Sequence, residues 1–371
     1  MKNAGSITGR SLSRRRLLKT LGTGIAAAGL GVPGIARAQQ TSGARRKVTG
    51  NMTLATWGGR YSKAMKDFFL GPFSQETGVT AQTVDAPGGF VPMLQAQAKA
   101  GNVTWDLVDV GEADSLFLLD NGLVQPLPAD VKADLVAAVG PQHVADHGIS
   151  FAAFGWVIAA NRKTAKRIPT TPAEFFDVQN FPGRRTMYGE DQLTGVLYAL
   201  QADGVDRKQL YPPDLDRAYR KLDQIKKSVA VWWRTGDQSQ QVFRDQEVDM
   251  GLLWDGRAAG TIAQGVDLAL SFEGTPIARD LFVVPTNAPN AAAAFEFLRW
   301  YATHPVEGGK WIREMGYGVA NPAAYEHVPQ EIAQRNAYYP PNFAKGFLVD
   351  VRWQSQRRTE LVKRWTQWLS Q

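Results

Sequence analysis

The chain has no cysteine, so a disulfide framework, a thiolate nucleophile and a thiolate metal site are all excluded. Histidine is scarce, four in 371 residues, and none stands in an H-E-x-x-H arrangement. No G-x-S-x-G elbow, Walker loop or dinucleotide fingerprint occurs. Gly58-Gly59 and Gly88-Gly89 are lone turn pairs, too little to cradle a phosphate. No carboxylate pair has a spacing that suggests glycoside hydrolysis. Beyond residue 38 no run is apolar and long enough to span a bilayer. The expectation is a protein that is not an enzyme and carries no cofactor, with a periplasmic hydrolase as the distant alternative.

What is present begins with an address. Ser13-Arg14-Arg15-Arg16-Leu17-Leu18-Lys19 precedes the Gly/Ala-rich apolar run Leu21–Ala36 and then Ala36-Arg37-Ala38. A basic region, a short apolar region and an A-x-A site make a secretory signal over 1–38. The pair Arg14-Arg15 before a weakly apolar run fits the twin-arginine type, with Leu17 where Phe is more usual. Cleavage after Ala38 would release an exported, periplasmic protein with a disordered terminus over 39–50. The net charge of +7 is carried by that segment, whose seven basic and no acidic residues leave a balance of zero once removed. Nucleic acid is therefore no partner that charge argues for.

From Met52 onward, short apolar runs alternate with helical periodicity. Met52–Trp57, Val79–Val84 and Trp105–Val110 read as strands; Tyr61, Ala64, Met65, Phe68 and Phe69 give a helix ending before Gly71-Pro72. Phe151–Asn161 is a long apolar strand able to run between two bodies. Strands follow at Thr186–Gly189, Val229–Trp233, Glu247–Trp254 and Arg279–Pro285, with helices at Leu215–Lys226, Ala291–Thr303 and Val306–Glu314. Leu361, Trp365, Trp368 and Leu369 form a helical stripe near the end. The alternation predicts an α/β fold with helices on both sheet faces. About 320 residues exceed one ordinary core and predict two lobes joined by a hinge, 51–153 with 278–320 and 156–275 with 325–371.

The most suggestive stretch is Glu247–Gly260, EVDMGLLWDGRAAG. It reads as a buried strand opening into a turn and a helix, with Trp254 and Asp255 side by side at the strand end. Ligands of α/β proteins bind at such ends. A ring face beside an acid suits an organic cation; a core Trp with a helix-capping Asp is the plain alternative. His143 and His147, four apart around Asp146, have a spacing that can ligate a metal but no further ligand, and exposed histidines are the better reading.

Taken together, these features resemble a periplasmic solute-binding protein of an ABC importer, most like the spermidine/putrescine-binding branch. The early strand ends in Trp57 with Tyr61 just beyond; VDMGLLWDG resembles that branch's G-M-I-W-N-G; DLFVVPTNAPN, Asp280–Asn290, is similar to its D-S-L-A-I-P-x-N-A-x-N. Met315–Gly318 with Asn321-Pro322 resembles its G-Y-x-x-x-N turn, and Trp353-Gln354 its W-Q pair. The resemblance implies a two-lobed type II binding-protein fold, a monomer, a permease partner in the inner membrane and a polyamine held in the cleft. It places Trp57, Asp191, Trp254, Asp280, Tyr317 and Gln354 on ligand-contacting positions, with Tyr61 and Asp255 beside them. Asp255 replaces the branch's Asn, Thr194 a second acid and Ala278 an aromatic, which shifts the carboxylate layout and leaves a different cationic or zwitterionic amine as an alternative to the polyamine. Trp232-Trp233 could replace the ring, although alternation lets only one of them face a cleft. Tyr338-Tyr339 resembles the tyrosine pair of ferric-binding relatives, the alternative ligand class.

Overall fold

Runs rich in β-branched and aromatic residues, each cut off by glycine or charge, become strands here, and the longest of them ties the molecule together. The computed structural model describes residues 50–86, 89–189 and 193–371. The expected signal, with Arg14, Arg15, Ala36 and Ala38, lies outside the described residues, as do 39–49 and Asp191.

The strands are β1 (Gly50–Thr56), β2 (Val79–Asp85), β3 (Leu107–Gly111), β4 (Val144–Ala145), β5 (Gly148–Asn161), β6 (Arg185–Tyr188), β7 (Val229–Trp233), β8 (Met250–Trp254), β9 (Leu268–Ser271), β10 (Pro276–Val283) and β11 (Phe347–Leu348). Their order along the sheet is β2-β1-β3-β10-β5-β8-β6-β7, with β4 and β9 on β5 and β11 on β10. β1, β2 and β3 are parallel, as are β6, β7 and β8, while β10 runs antiparallel to β3 and β5. The fold is thus α/β with a mixed sheet. β5 pairs with β10 up to Gly155 and with β8 from Trp156, so one continuous apolar strand crosses between two sheet halves. One large core cluster spans both halves, and two smaller ones back the strand ends of each. The described residues belong to one compact unit.

Local chemistry explains most element ends. Thr171 caps the helix Pro172–Phe176 by accepting from the Glu174 amide at 3.2 Å, with proline at the first turn where its missing N–H is harmless. Gly316, at φ 76°, closes the helix Pro305–Met315, and the turn it permits brings Tyr317 against Gly256. The expected stop at Gly71-Pro72 is overturned. The helix Gly59–Met65 passes through a wider turn at Lys66–Leu70 and resumes as Gly71–Thr77, because Pro72 sits in the new first turn. The helix Thr194–Ala202 escapes periodicity altogether: its first seven residues are buried, so it has no polar face to mark it.

Candidate functional site

The sheet register assembles one pole of the site. Ala55 pairs with Val108, which sets Thr56 beside Asp109; Asp109 lies opposite Phe282, and Asp280 opposite Gly111 and Phe151. Side chains of cross-strand partners, and of residues two apart, share a face. Thr56, Asp109, Asp280 and Phe151 therefore form a row across β1, β3, β10 and β5. Arg279, one residue before Asp280, faces the other way and makes a bidentate pair with Glu112 at 2.8 and 2.9 Å.

Asp280 accepts from Trp57 Nε1 at 3.0 Å, and Asp109, fully buried, accepts from Thr56 Oγ1 at 3.1 Å. Asp109 Oδ1 and Tyr61 Oη are also buried; they approach each other without a hydrogen bond of good geometry. Tyr61 is held edge-on against Trp311, ring centres 4.8 Å apart. Burial, and then the charge of Asp280, pushes the Asp109 carboxyl well above its ordinary range. Asp280 itself is pushed up to about 7 by burial, moderated by the Trp57 bond and reinforced by Asp114.

The second pole is aromatic. Tyr188, Trp233 and Trp254 stand at the carboxyl ends of β6, β7 and β8. Tyr188 stacks on Trp233 at 4.3 Å, and Trp254 meets Trp233 and Tyr188 edge-on at 5.0 and 5.6 Å. Phe154 on β5 reaches Trp254 at 6.1 Å and Tyr317 at 6.3 Å. Trp232 points to the opposite face, onto Trp365 and Trp368, as strand alternation requires. The indole N–H groups of Trp156 and Trp254, paired across β5 and β8, are buried without a hydrogen-bond partner. A separate cavity of about 590 Å³ is lined by Gly189, Arg234 and the Trp365 helix, and by neither these rings nor the acid pole.

Tyr317 lies between the poles. Burial raises its hydroxyl first; Arg257 lowers it, and Asp255 and Asp280 raise it. Arg257, in the first turn of the helix Asp255–Ala263, donates from Nη1 to Asp237 at 2.8 Å and Gln240 at 3.4 Å. Carboxylates, rings and a guanidinium thus all act on or near Tyr317.

Of the expected residues, Trp57, Tyr61, Asp280 and Tyr317 converge on the acid pole and Trp254 on the wall. Asp255 does not present a free acid: it is fully buried, and its oxygens accept from the Gly155 amide at 3.2 Å and the Ala337 amide at 2.6 Å. Burial pushes it up to about 7. Gln354 sits on the short helix Val351–Gln356, which packs against the helix Glu112–Asp120. Thr194 is buried at a helix start. The histidines read as exposed are buried instead: His143 Nδ1 meets Tyr338 Oη at 2.7 Å, and His147 Nε2 meets Ser115 Oγ at 2.9 Å. Tyr338 is committed to that contact. Among the described residues no group of three or more metal-type side chains gathers. Asp109, Tyr188, Phe154 and Arg257 were not anticipated. Asp109 had a signal, the alternating acid of WDLVDV, and Arg257 follows the Trp-Asp-Gly turn directly.

Comparison with known proteins supports the fold. The sequence pattern of bacterial extracellular solute-binding proteins matches residues 70–340. A γ-aminobutyrate-binding protein of Pseudomonas aeruginosa is 27% identical over 324 residues, 86% of this chain and 90% of that protein. The solved structure of the Atu4243 GABA receptor superposes with a TM-score of 0.75 at 31% identity, covering 86% of this chain and 97% of that one. A spermidine/putrescine-binding structure from Streptococcus pneumoniae reaches 0.67 at 16% identity over 86% and 99% of the two chains, a likeness of fold alone. The expected nearness to the polyamine branch gains only this distant likeness, whereas two relatives at 27% and 31% identity bear γ-aminobutyrate names.

Proposed function

The chain belongs to the bacterial extracellular solute-binding protein family, and from that membership we propose that it serves an ABC importer as receptor for γ-aminobutyrate or a close ω-amino acid. The observation that carries the ligand class is that Asp280 and Arg257 both act on the Tyr317 hydroxyl, so an acid and a guanidinium, the latter also paired with Asp237, lie near one ring. An ammonium group set against Asp280 and a carboxylate set against Arg257 would each meet opposite charge, so lost hydration is recovered at both ends. Trp57, Trp254 and Tyr317 would cover the methylenes between, at about 0.8 kcal/mol each. Micromolar affinity requires only about 8 kcal/mol in all.

The two lobes are taken as 51–153 with 278–320 and 156–275 with 325–371, dividing where β5 changes partners. Closure of the lobes over the ligand is the step the permease would read. A diammonium alkane is the second reading, favoured by the third acid, Asp114, acting on Asp280.

Thermal melting of residues 39–371 against γ-aminobutyrate, putrescine, spermidine, basic amino acids and ferric citrate separates these readings, because a ligand selective for the folded state raises the midpoint with concentration. A shift with γ-aminobutyrate that Arg257→Gln removes is the expected result. A shift with putrescine alone, untouched by Arg257→Gln, would replace it with the diamine. Response to ferric citrate alone would sink both.

A further inference from the structure

Asp109 is the carboxylate no simple account of the site uses. It is fully buried behind Asp280 on the same sheet face, diagonal to it across β3 and β10, a placement that sets two acid side chains within reach of one another. One oxygen is satisfied by Thr56, and the other, among the described residues, has only the poorly aligned approach of Tyr61 Oη. We propose that Asp109 is the proton-holding partner of Asp280, so that capture of an ammonium group at Asp280 expels one proton to solvent. The proposal rests on the ammonium-binding reading above.

The surroundings leave the pair few ways to carry two charges. Thr56 of β1, Tyr61 of the helix Gly59–Met65 and Asp280 of β10 act on Asp109, and Asp109 in turn acts on Tyr301 of the helix Ala291–Thr303. Trp57 and Asp114 act on Asp280, and Asp280 in turn acts on Tyr61 and Tyr317. Each of these groups is neutral or acidic. Arg358, from the last helix, draws on Asp114 instead. Two like charges this close and this dry do not both ionise freely. Asp280 is pushed to about 7, and Asp109 is raised as well, so near neutrality the empty pair retains a proton. An arriving –NH₃⁺ brings the missing positive charge. The carboxyl O–H then breaks, its proton leaves to water, and two carboxylates face one ammonium. The balance is one proton out for one cation in, with no other reactant. Tyr61 Oη, buried and without a bond of good geometry, is placed to donate to the newly ionised Asp109.

Calorimetry of the exported protein with γ-aminobutyrate and with putrescine, in two buffers of different ionisation enthalpy at pH 7, counts the protons. Release of about half to one proton per ligand is expected, with affinity rising by up to about tenfold per pH unit below pH 7 and levelling above it. Asp109→Asn should lower the release toward the share that burial alone leaves on Asp280, about half a proton at pH 7, and leave the profile with a single step. An Asp109 that merely supports the fold would lower the melting midpoint and leave the proton count of the surviving binding unchanged. Wild-type binding with no proton release overturns the proposal, whether or not the variant folds. If neither ligand binds, the functional reading fails by itself. The proposal is then judged on the ligand-free protein, where Asp109→Asn should remove part of the protonated-carboxyl infrared band that the wild type keeps at pH 7, while the part due to Asp255 stays; identical bands in the two overturn it.

Discussion

The acid pole on β1, β3 and β10 and the aromatic wall on β6, β7 and β8 both stand at strand ends, yet they hold polar groups in opposite ways. At the pole, Asp109 and Asp280 lie on one sheet face with few donors, so each carboxylate keeps unspent capacity for a cation. Beside the wall the carboxylate of Asp255 has turned inward, and two backbone amides occupy its oxygens. What the wall offers is ring surface braced by further rings: Tyr188 and Trp233 behind Trp254. The lesson is a division of labour. A buried, under-satisfied acid pair discriminates charge, since an uncharged ligand leaves its desolvation unrepaid. Interlocked rings discriminate length and shape, since methylenes of any kind are welcome there.

The comparison breaks most sharply at Asp280. Asp280→Ala should lose about 2–5 kcal/mol of binding, the cost of stripping one partner from a buried charge pair. Measured by calorimetry, that takes a one-micromolar complex to between about 30 μM and about 5 mM. The melting midpoint of the empty variant should hold or rise, because a carboxylate destabilised by burial has gone. Near-wild-type affinity would show that the pole is not where the ligand binds.

Trp254→Ala tests the other side with a smaller effect. Binding should weaken by about 1–3 kcal/mol for γ-aminobutyrate and diamine alike, because a ring face does not distinguish their second ends. A ligand-specific loss would mean that the Trp254 N–H, unpartnered in the empty protein, hydrogen-bonds one ligand and not the other. The midpoint should fall too, since Trp254 supports Trp233 and Tyr188.

How far the sequence reveals these two regions follows from what each is made of. Period-2 runs with sharp boundaries mark strands well: Val229–Trp233 is found whole, and β5 is anticipated from Phe151 onward. The wall is half visible, because Trp254 ends such a run, whereas Tyr188 closes a four-residue strand too short to carry a pattern. The pole is visible through Trp57 and Asp280 and hidden at Asp109, since an acid inside an apolar strand gives no hint of what lies across β10. Asp255 misleads for a related reason. Side by side in sequence, Trp254 and Asp255 belong to a strand end and a helix start, and the chain turns between them. Neighbours at such a junction need not share a face.

That turn gives the finest test of the comparison. Asp255 ties Gly155, where β5 changes partners, to Ala337, so its carboxylate is a brace rather than a ligand contact. Burial raises it from 3.8 to about 7, with the amides of Ala337, Gly155 and Gly256 working against the rise. An acid whose folded value exceeds its unfolded one binds more protons folded than unfolded between those two values. Stability therefore falls as pH rises from about 4 to about 7 and is level above. Asp109 and Asp280 slope the same way, so Asp255→Asn should remove one share of the decline in midpoint across that range and leave the rest. Affinity for γ-aminobutyrate at pH 8 should change by less than about threefold, within the scatter of a substitution remote from the contact. A larger loss of affinity with an unaltered slope would move Asp255 into the binding site and erase the distinction between the two regions.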